Sequence, residues 1–88
     1  MKALVLYRPD SDHGRMIEEF ISSLKSTGFS GKLETVNVDT REGISTATLY
    51  DITRYPAILV LRDDGVLQQA WEGQELPLIN EVEAYFNA

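Results

Sequence analysis

The sequence contains no cysteine and only one histidine. The missing thiols exclude disulfide bonds, thiolate metal sites, iron–sulfur clusters and any cysteine nucleophile, and they leave the redox compartment open. Positive charge is also scarce, because eight Lys and Arg stand against fourteen Asp and Glu, for a formal net charge of −6 at pH 7. Such a chain repels phosphates, so we expect neither nucleic acid nor an anionic membrane as its partner.

Long apolar runs are missing as well. Met1 and Lys2 are followed by only five apolar residues, 3–7, before Arg8 and Pro9. This run is shorter than the apolar core of a signal peptide and far shorter than a membrane span. We therefore expect a cytoplasmic protein.

A length of 88 residues, with 43% hydrophobic and 25% charged, is typical of one globular domain, which we predict to occupy residues 1–88.

Four segments have strand-like patterns. Residues 3–7 and 57–61 are apolar throughout, which is typical of strands covered on both faces. Residues 33–38 and 66–71 mix apolar and polar positions and are typical of edge strands. The dipeptide Asp64-Gly65 predicts a hairpin turn between the segments 57–61 and 66–71. The continuous strands are therefore expected in the middle of one sheet.

Three further segments have helical spacing. Apolar residues recur every three or four positions over about residues 12–27, more weakly over 41–51, and again from Pro77 onward. Ser11 and Thr40 are the predicted N-caps of the first two helices. The predicted order is βαβαββα, an α/β fold with helices on both faces of a four-stranded sheet.

A succession of short motifs runs through the second half of the chain. A strand ends in Val38-Asp39, a helix ends in Tyr50-Asp51-Ile52, Pro56 precedes an apolar strand, and Gly73 follows the last strand. This succession resembles the C-terminal half of a thioredoxin-like domain. The resemblance implies a mixed sheet of strand order 2-1-3-4, with the third strand antiparallel to the first. It also implies a cis Tyr55–Pro56 bond beside the start of the first helix.

The residues of the redox motif itself are different here. Residues 7–14 are similar to the entry of a glutaredoxin-type motif, with Ser11 and Gly14 at the two cysteine positions. Thioredoxins carry a buried acid where this chain has Val5, although glutaredoxins also lack it. A serine hydroxyl cannot replace the thiolate in thiol–disulfide exchange. The absence of thiols therefore predicts a redox-inactive domain without dithiol oxidoreductase activity. We also expect no cofactor.

The predicted site is the groove between the start of the first helix and the cis-proline loop. Ser11 is interpreted first as a helix cap and second as a donor to a bound thiolate. A catalytic role of Ser11 as a nucleophile is disfavoured, because neighbouring residues at a helix start do not orient a base toward it. The cluster of Asp10, Asp12 and His13 offers possible metal ligands, but it is only a weak indication of a metal site. The candidate binding residues are Arg8, Asp10, Ser11, Asp12, His13, Gly14, Tyr55 and Pro56.

Three functions stay open at this point. The first is a module that binds a protein or an extended peptide by strand addition next to Pro56, as the family does. The second is a glutathione-dependent, transferase-like activity with Ser11 near the thiol. Glutathione is disfavoured as partner because carboxylates at Asp10, Asp12 and Glu72 would repel it. The third is a structural domain that assembles through an edge strand. A binding role is favoured over an enzyme, and no catalytic residue is assigned.

Overall fold

The protein is described by a computed structural model that covers residues 1–29, 31–73 and 76–86. Its elements follow the predicted order βαβαββα. The first four are β1 (Lys2–Tyr7), α1 (Gly14–Ser26), β2 (Lys32–Asn37) and α2 (Arg41–Leu49), and the last three are β3 (Ala57–Leu61), β4 (Leu67–Glu72) and α3 (Ile79–Phe86).

The four strands form one mixed sheet in the order β2-β1-β3-β4. β1 is parallel to β2 and antiparallel to β3, and β4 is antiparallel to β3. The predicted order 2-1-3-4 and the predicted central position of 57–61 are thereby confirmed. No helix within the described ranges is long and apolar enough to cross a membrane.

Both faces of the central strands are buried, which explains their unbroken apolar sequences. Leu4, Leu6 and Leu59 pack on one face with residues of α2 and its flanks, among them Ala47 and Ile52. The opposite face is covered by α1. There Val5, Tyr7 and Ile58 pack against Ile17 and Ile21. The expectation of helices on both faces is confirmed.

The start of α1 differs from the prediction. The helix begins at Gly14 rather than near residue 12, and its N-cap residue is His13, whose side chain makes no capping bond. Ser11 is not the cap, because its hydroxyl donates to the Arg8 carbonyl at 2.6 Å. Two successive turns precede the helix, closed by Ser11 N to Arg8 O at 3.2 Å and by Gly14 N to Ser11 O at 3.0 Å. These local bonds compete successfully with capping.

The other helix boundaries lie within two residues of the predicted ones. Thr40 caps α2 as predicted, since its hydroxyl accepts from the Gly43 amide at 3.0 Å. α2 ends at Leu49, before Asp51 adopts a positive φ of 57°. α3 begins at Ile79 rather than at Pro77. Just before its first residue, the Leu78 amide donates to the Glu81 carboxylate at 2.9 Å. This last bond is half of a capping box.

Candidate functional site

A groove lies where β1 ends and α1 begins, facing the loop that leads into β3. Its volume is about 640 Å³. The lining comes from the turns after β1, from the loop before Pro56 and from the end of β4: Arg8, Ser11, Asp12, His13, Thr53, Arg54, Tyr55 and Gly73. Five of the eight residues proposed from the sequence therefore share this groove, and three do not line it.

Arg8 connects the parts of the groove. Its amide donates to Nε2 of His13 at 3.0 Å, and its Nε donates to Oδ1 of Asp39 at 2.9 Å. Its guanidinium lies 5.3 Å from the centre of the Tyr55 ring, within the range of a cation–π contact. One residue thus joins the turn before α1, the turn after β2 and the loop before β3. The Asp39 carboxylate offsets part of its positive charge.

His13 accepts a hydrogen bond and must be neutral at Nε2 to do so. Burial lowers the pKa of this imidazole, and the positive charge of Arg8 lowers it further, while the charge of Asp12 acts in the opposite direction. The Arg8 amide is therefore paired only while His13 is unprotonated. This bond adds to the Ser11 and Gly14 hydrogen bonds that close the turns before α1, which form one wall of the groove.

Tyr55 lines the groove next to Pro56. The Tyr55–Pro56 bond is cis, and the Tyr55 hydroxyl donates to the Ile52 carbonyl at 3.4 Å. Pro56 is buried, and its carbonyl accepts from the Gly73 amide at 3.0 Å, which extends the β3–β4 ladder by one step. Neither the amide nor the carbonyl of Tyr55 has a hydrogen-bond partner in the part of the chain that the structure describes.

The neighbouring loop amides are already occupied. Oε1 of Glu72 accepts from the Thr53 amide at 3.2 Å and from the Arg54 amide at 3.4 Å. These bonds hold the loop against the end of β4 and leave Tyr55 as the open backbone position. Sequence reasoning missed Thr53, Arg54 and Gly73 as lining residues. Thr53 and Arg54 could have been found by their proximity to Pro56 in sequence. Gly73 reaches the groove through its pairing with the Pro56 carbonyl, which the local sequence does not indicate.

The expected acidic rim is incomplete. Asp12 lines the groove, but Asp10 does not, because it occupies an exposed corner of the turn closed by the Ser11 N to Arg8 O bond. Arg8 and Arg54 contribute two positive charges to the lining. The lining therefore has mixed charge, and Asp12 is its one acidic residue.

Gly14 supports the groove from beneath rather than lining it. A Cβ at this position would collide with the Pro9 carbonyl oxygen and would lie 3.1 Å from the Arg8 carbonyl oxygen. The first residue of α1 thus packs directly on the backbone of the preceding turn. A side chain, including that of a cysteine, is not accommodated there without movement of the turn.

The metal interpretation gains no support. Across residues 1–29, 31–73 and 76–86, no group of three or more His, Asp or Glu side chains is arranged to hold a metal ion. Asp10 and Asp12 are exposed, and His13 directs its Nε2 at a backbone amide.

Comparison with solved structures gives clear matches in fold. Thioredoxin 1 from the thermophilic eubacterium Thermosipho africanus TCF52B matches with a TM-score of 0.74 and 16% identity, over 99% of this chain and 96% of that one. Oxidized thioredoxin O2 from Arabidopsis thaliana matches with a TM-score of 0.72 and 12% identity, over 98% and 71% of the two chains. A designed protein matches with a TM-score of 0.68 and 19% identity, over 98% and 72%.

The sequence comparisons are negative. No protein-family model matches the chain, and neither does any curated protein sequence. The structural likeness, at identities below 20%, establishes the fold. The chain has a thioredoxin-like fold and lacks the cysteines that redox chemistry in this fold requires.

Proposed function

We propose that this chain is a redox-inactive thioredoxin-like domain that binds a protein segment in extended conformation along the groove. The observation that carries the proposal is the backbone of Tyr55, whose amide and carbonyl are unpaired within the described residues while the amides before it are held by Glu72. An extended partner segment would pair with Tyr55 by strand addition. That pairing involves main-chain atoms only and needs no thiol.

The walls of the groove favour such a partner. The Arg8 guanidinium stacks near the Tyr55 ring and is tied to Asp39, so this side of the groove is ordered before binding. Order before binding lowers the entropic cost of association. Asp12 and Arg54 lie on the lining without an ion-pair partner among the described residues. They supply one charge of each sign for recognition of partner side chains.

Glutathione is the weaker candidate. A transferase-like role needs the Ser11 hydroxyl to donate to the thiolate, but its proton is directed at the Arg8 carbonyl at 2.6 Å. Binding would have to break that bond. The positive charges of Arg8 and Arg54 act in favour of an anionic ligand. Binding of glutathione and binding of peptides are therefore measured side by side.

The experiment uses short peptides selected from a random displayed library against the protein, with glutathione as a parallel ligand. The residues that respond are mapped by chemical-shift changes of the labelled protein. For the tightest peptide, single backbone amides are then N-methylated one at a time. We expect the amide that donates to the Tyr55 carbonyl to be sensitive, with affinity falling about tenfold because one hydrogen bond is lost and a methyl group intrudes.

Peptides N-methylated at the next amide serve as the matched control, because alternate amides of an extended strand point away from their partner. Shifts centred on Tyr55, with one sensitive amide flanked by insensitive ones, support the proposal. Peptide shifts elsewhere on the surface contradict it. Shifts at Ser11 with glutathione and none with any peptide would favour the transferase-like alternative.

A further inference from the structure

The outer edge of β2 is open. β2 lies at one end of the sheet and pairs with β1 alone. The Val38 amide donates to the Tyr7 carbonyl at 3.1 Å, so residues of even number along this strand point their backbone groups at β1. Leu33 and Thr35 therefore point theirs outward. These outward groups have no hydrogen-bond partner within the described ranges.

The opposite edge of the sheet is different. By the same alternation, the Ala70 amide of β4 points outward, and it donates to Oε1 of its neighbour Gln69 at 2.9 Å. Nε2 of the same Gln69 donates to the Tyr85 hydroxyl at 3.1 Å, which ties this side chain to α3. A side chain thus occupies a donor that strand pairing would use. In the described part of β2, the outward amides of Leu33 and Thr35 are not occupied in this way.

The charges of β2 are complementary to a second copy of the same strand. Lys32 and Glu34 are exposed and lie on the sheet face that carries α2, while Leu33 lies on the α1 face. Antiparallel pairing about a twofold axis must place odd residues opposite odd residues, because those carry the outward groups. With Leu33 on the axis, Lys32 of each copy lies opposite Glu34 of the other. Shifting the register by one step instead places Glu34 opposite Glu34.

We propose that two copies of this chain associate through antiparallel pairing of their β2 strands, with Leu33 on the twofold axis. Directly opposite residues in such a ladder have Cβ atoms about 4.5–5.5 Å apart, close enough for two Lys–Glu pairs per dimer. The half-buried Leu33 side chains meet on the other face. A lysine on an edge strand commonly discourages pairing. Here Glu34, two residues away, gives each lysine a partner in this register alone.

The dimer is weak. A single strand pair buries less than the roughly 800 Å² per partner of standard interfaces, and each chain carries a net charge of −6. Glu34 also contacts Lys2 of its own chain at 3.6 Å, in an exposed pair that binding does not need to break. Association is therefore measured at physiological ionic strength, where the long-range repulsion is screened.

Sedimentation equilibrium tests the register by charge reversal. We expect Lys32→Glu and Glu34→Lys each to raise the dimer dissociation constant about tenfold, equivalent to about 1.4 kcal/mol over two pairs. The two variants mixed together are expected to form a heterodimer, and a chain carrying both substitutions to dimerise like the original. Failure of both the mixture and the double variant to restore association would overturn the register.

Thr35→Pro tests whether the two copies pair through the backbone of β2. The Thr35 amide points outward, so proline removes a donor that the ladder to β1 does not use, a position where edge strands tolerate proline. We expect this variant to be monomeric and Thr35→Val, which keeps the amide, to dimerise. Circular dichroism confirms that each variant is folded. A wild-type chain that stays monomeric up to about 1 mM, or a Thr35→Pro variant that is folded and dimeric, would overturn the proposal.

Discussion

His13 should make the stability of the protein depend on pH. Its Nε2 accepts from the Arg8 amide at 3.0 Å, and burial lowers its pKa below the ordinary value of 6.5. As the pH falls, the unfolded chain therefore takes up the proton first. The stabilisation is complete above about pH 6.5 and is lost as the pH falls through the lower pKa of the folded state. Stability thus decreases on acidification.

The size of the effect follows from the single hydrogen bond. One such bond contributes about 0.5–1.5 kcal/mol net, and because His13 is only half-buried, we expect the lower part of this range. Urea unfolding measured above and below about pH 6.5 gives the change in free energy of unfolding. His13 is the one histidine of the sequence, so no second imidazole titrates in this interval.

The matched control is His13→Gln. Its Oε1 can accept from the Arg8 amide but does not titrate, so it should keep most of the stability and lose the pH dependence. His13→Ala should lose both the bond and the dependence. Equal losses of unfolding free energy on acidification in His13→Gln and in the wild type would contradict this role of His13, because carboxylates would then account for the loss.

Three other perturbations have expected outcomes. Gly14→Ala should lower the free energy of unfolding by about 1–3 kcal/mol, because its methyl group meets the Pro9 carbonyl; urea unfolding should show no such loss for Ser22→Ala on the exposed face of α1. Leu59→Ala, in the buried centre of β3, should cost about 2–5 kcal/mol by the same assay, and a smaller loss would mean that this core is loosely packed. Asp12→Asn should slow association with a basic peptide in stopped-flow measurements, whereas Asp10→Asn, outside the lining, should not; equal effects would show that only net charge matters.

The sheet was predictable because burial on two faces leaves a direct mark on the sequence. Residues 3–7 and 57–61 are apolar throughout and lie in the centre, and the Asp64-Gly65 turn joins β3 to β4. The resemblance then supplied strand order and direction, which periodicity does not encode. Helix positions followed from the spacing of apolar residues, because a helix such as α1 buries only one face.

The groove was predictable in position and less so in detail. Ser11 fits the statistics of helix caps, yet its hydroxyl finds a nearer acceptor in the Arg8 carbonyl. Asp10 and Asp12 look equivalent in sequence, but only Asp12 faces the groove. The roles of Asp39 and Glu72 depend on residues brought together from distant positions. Local pattern carries no information about such contacts.

Hydrogen exchange at the Tyr55 amide shows whether a peptide binds through this backbone position. The Tyr55 amide is unpaired within the described residues, so it should exchange rapidly in the free protein. Saturation with a selected peptide should slow its exchange at least about tenfold, since strand addition gives it an acceptor. The Thr53 amide, already bonded to Glu72, should change far less. A bound peptide that leaves the exchange of the Tyr55 amide unchanged would contradict binding through this backbone.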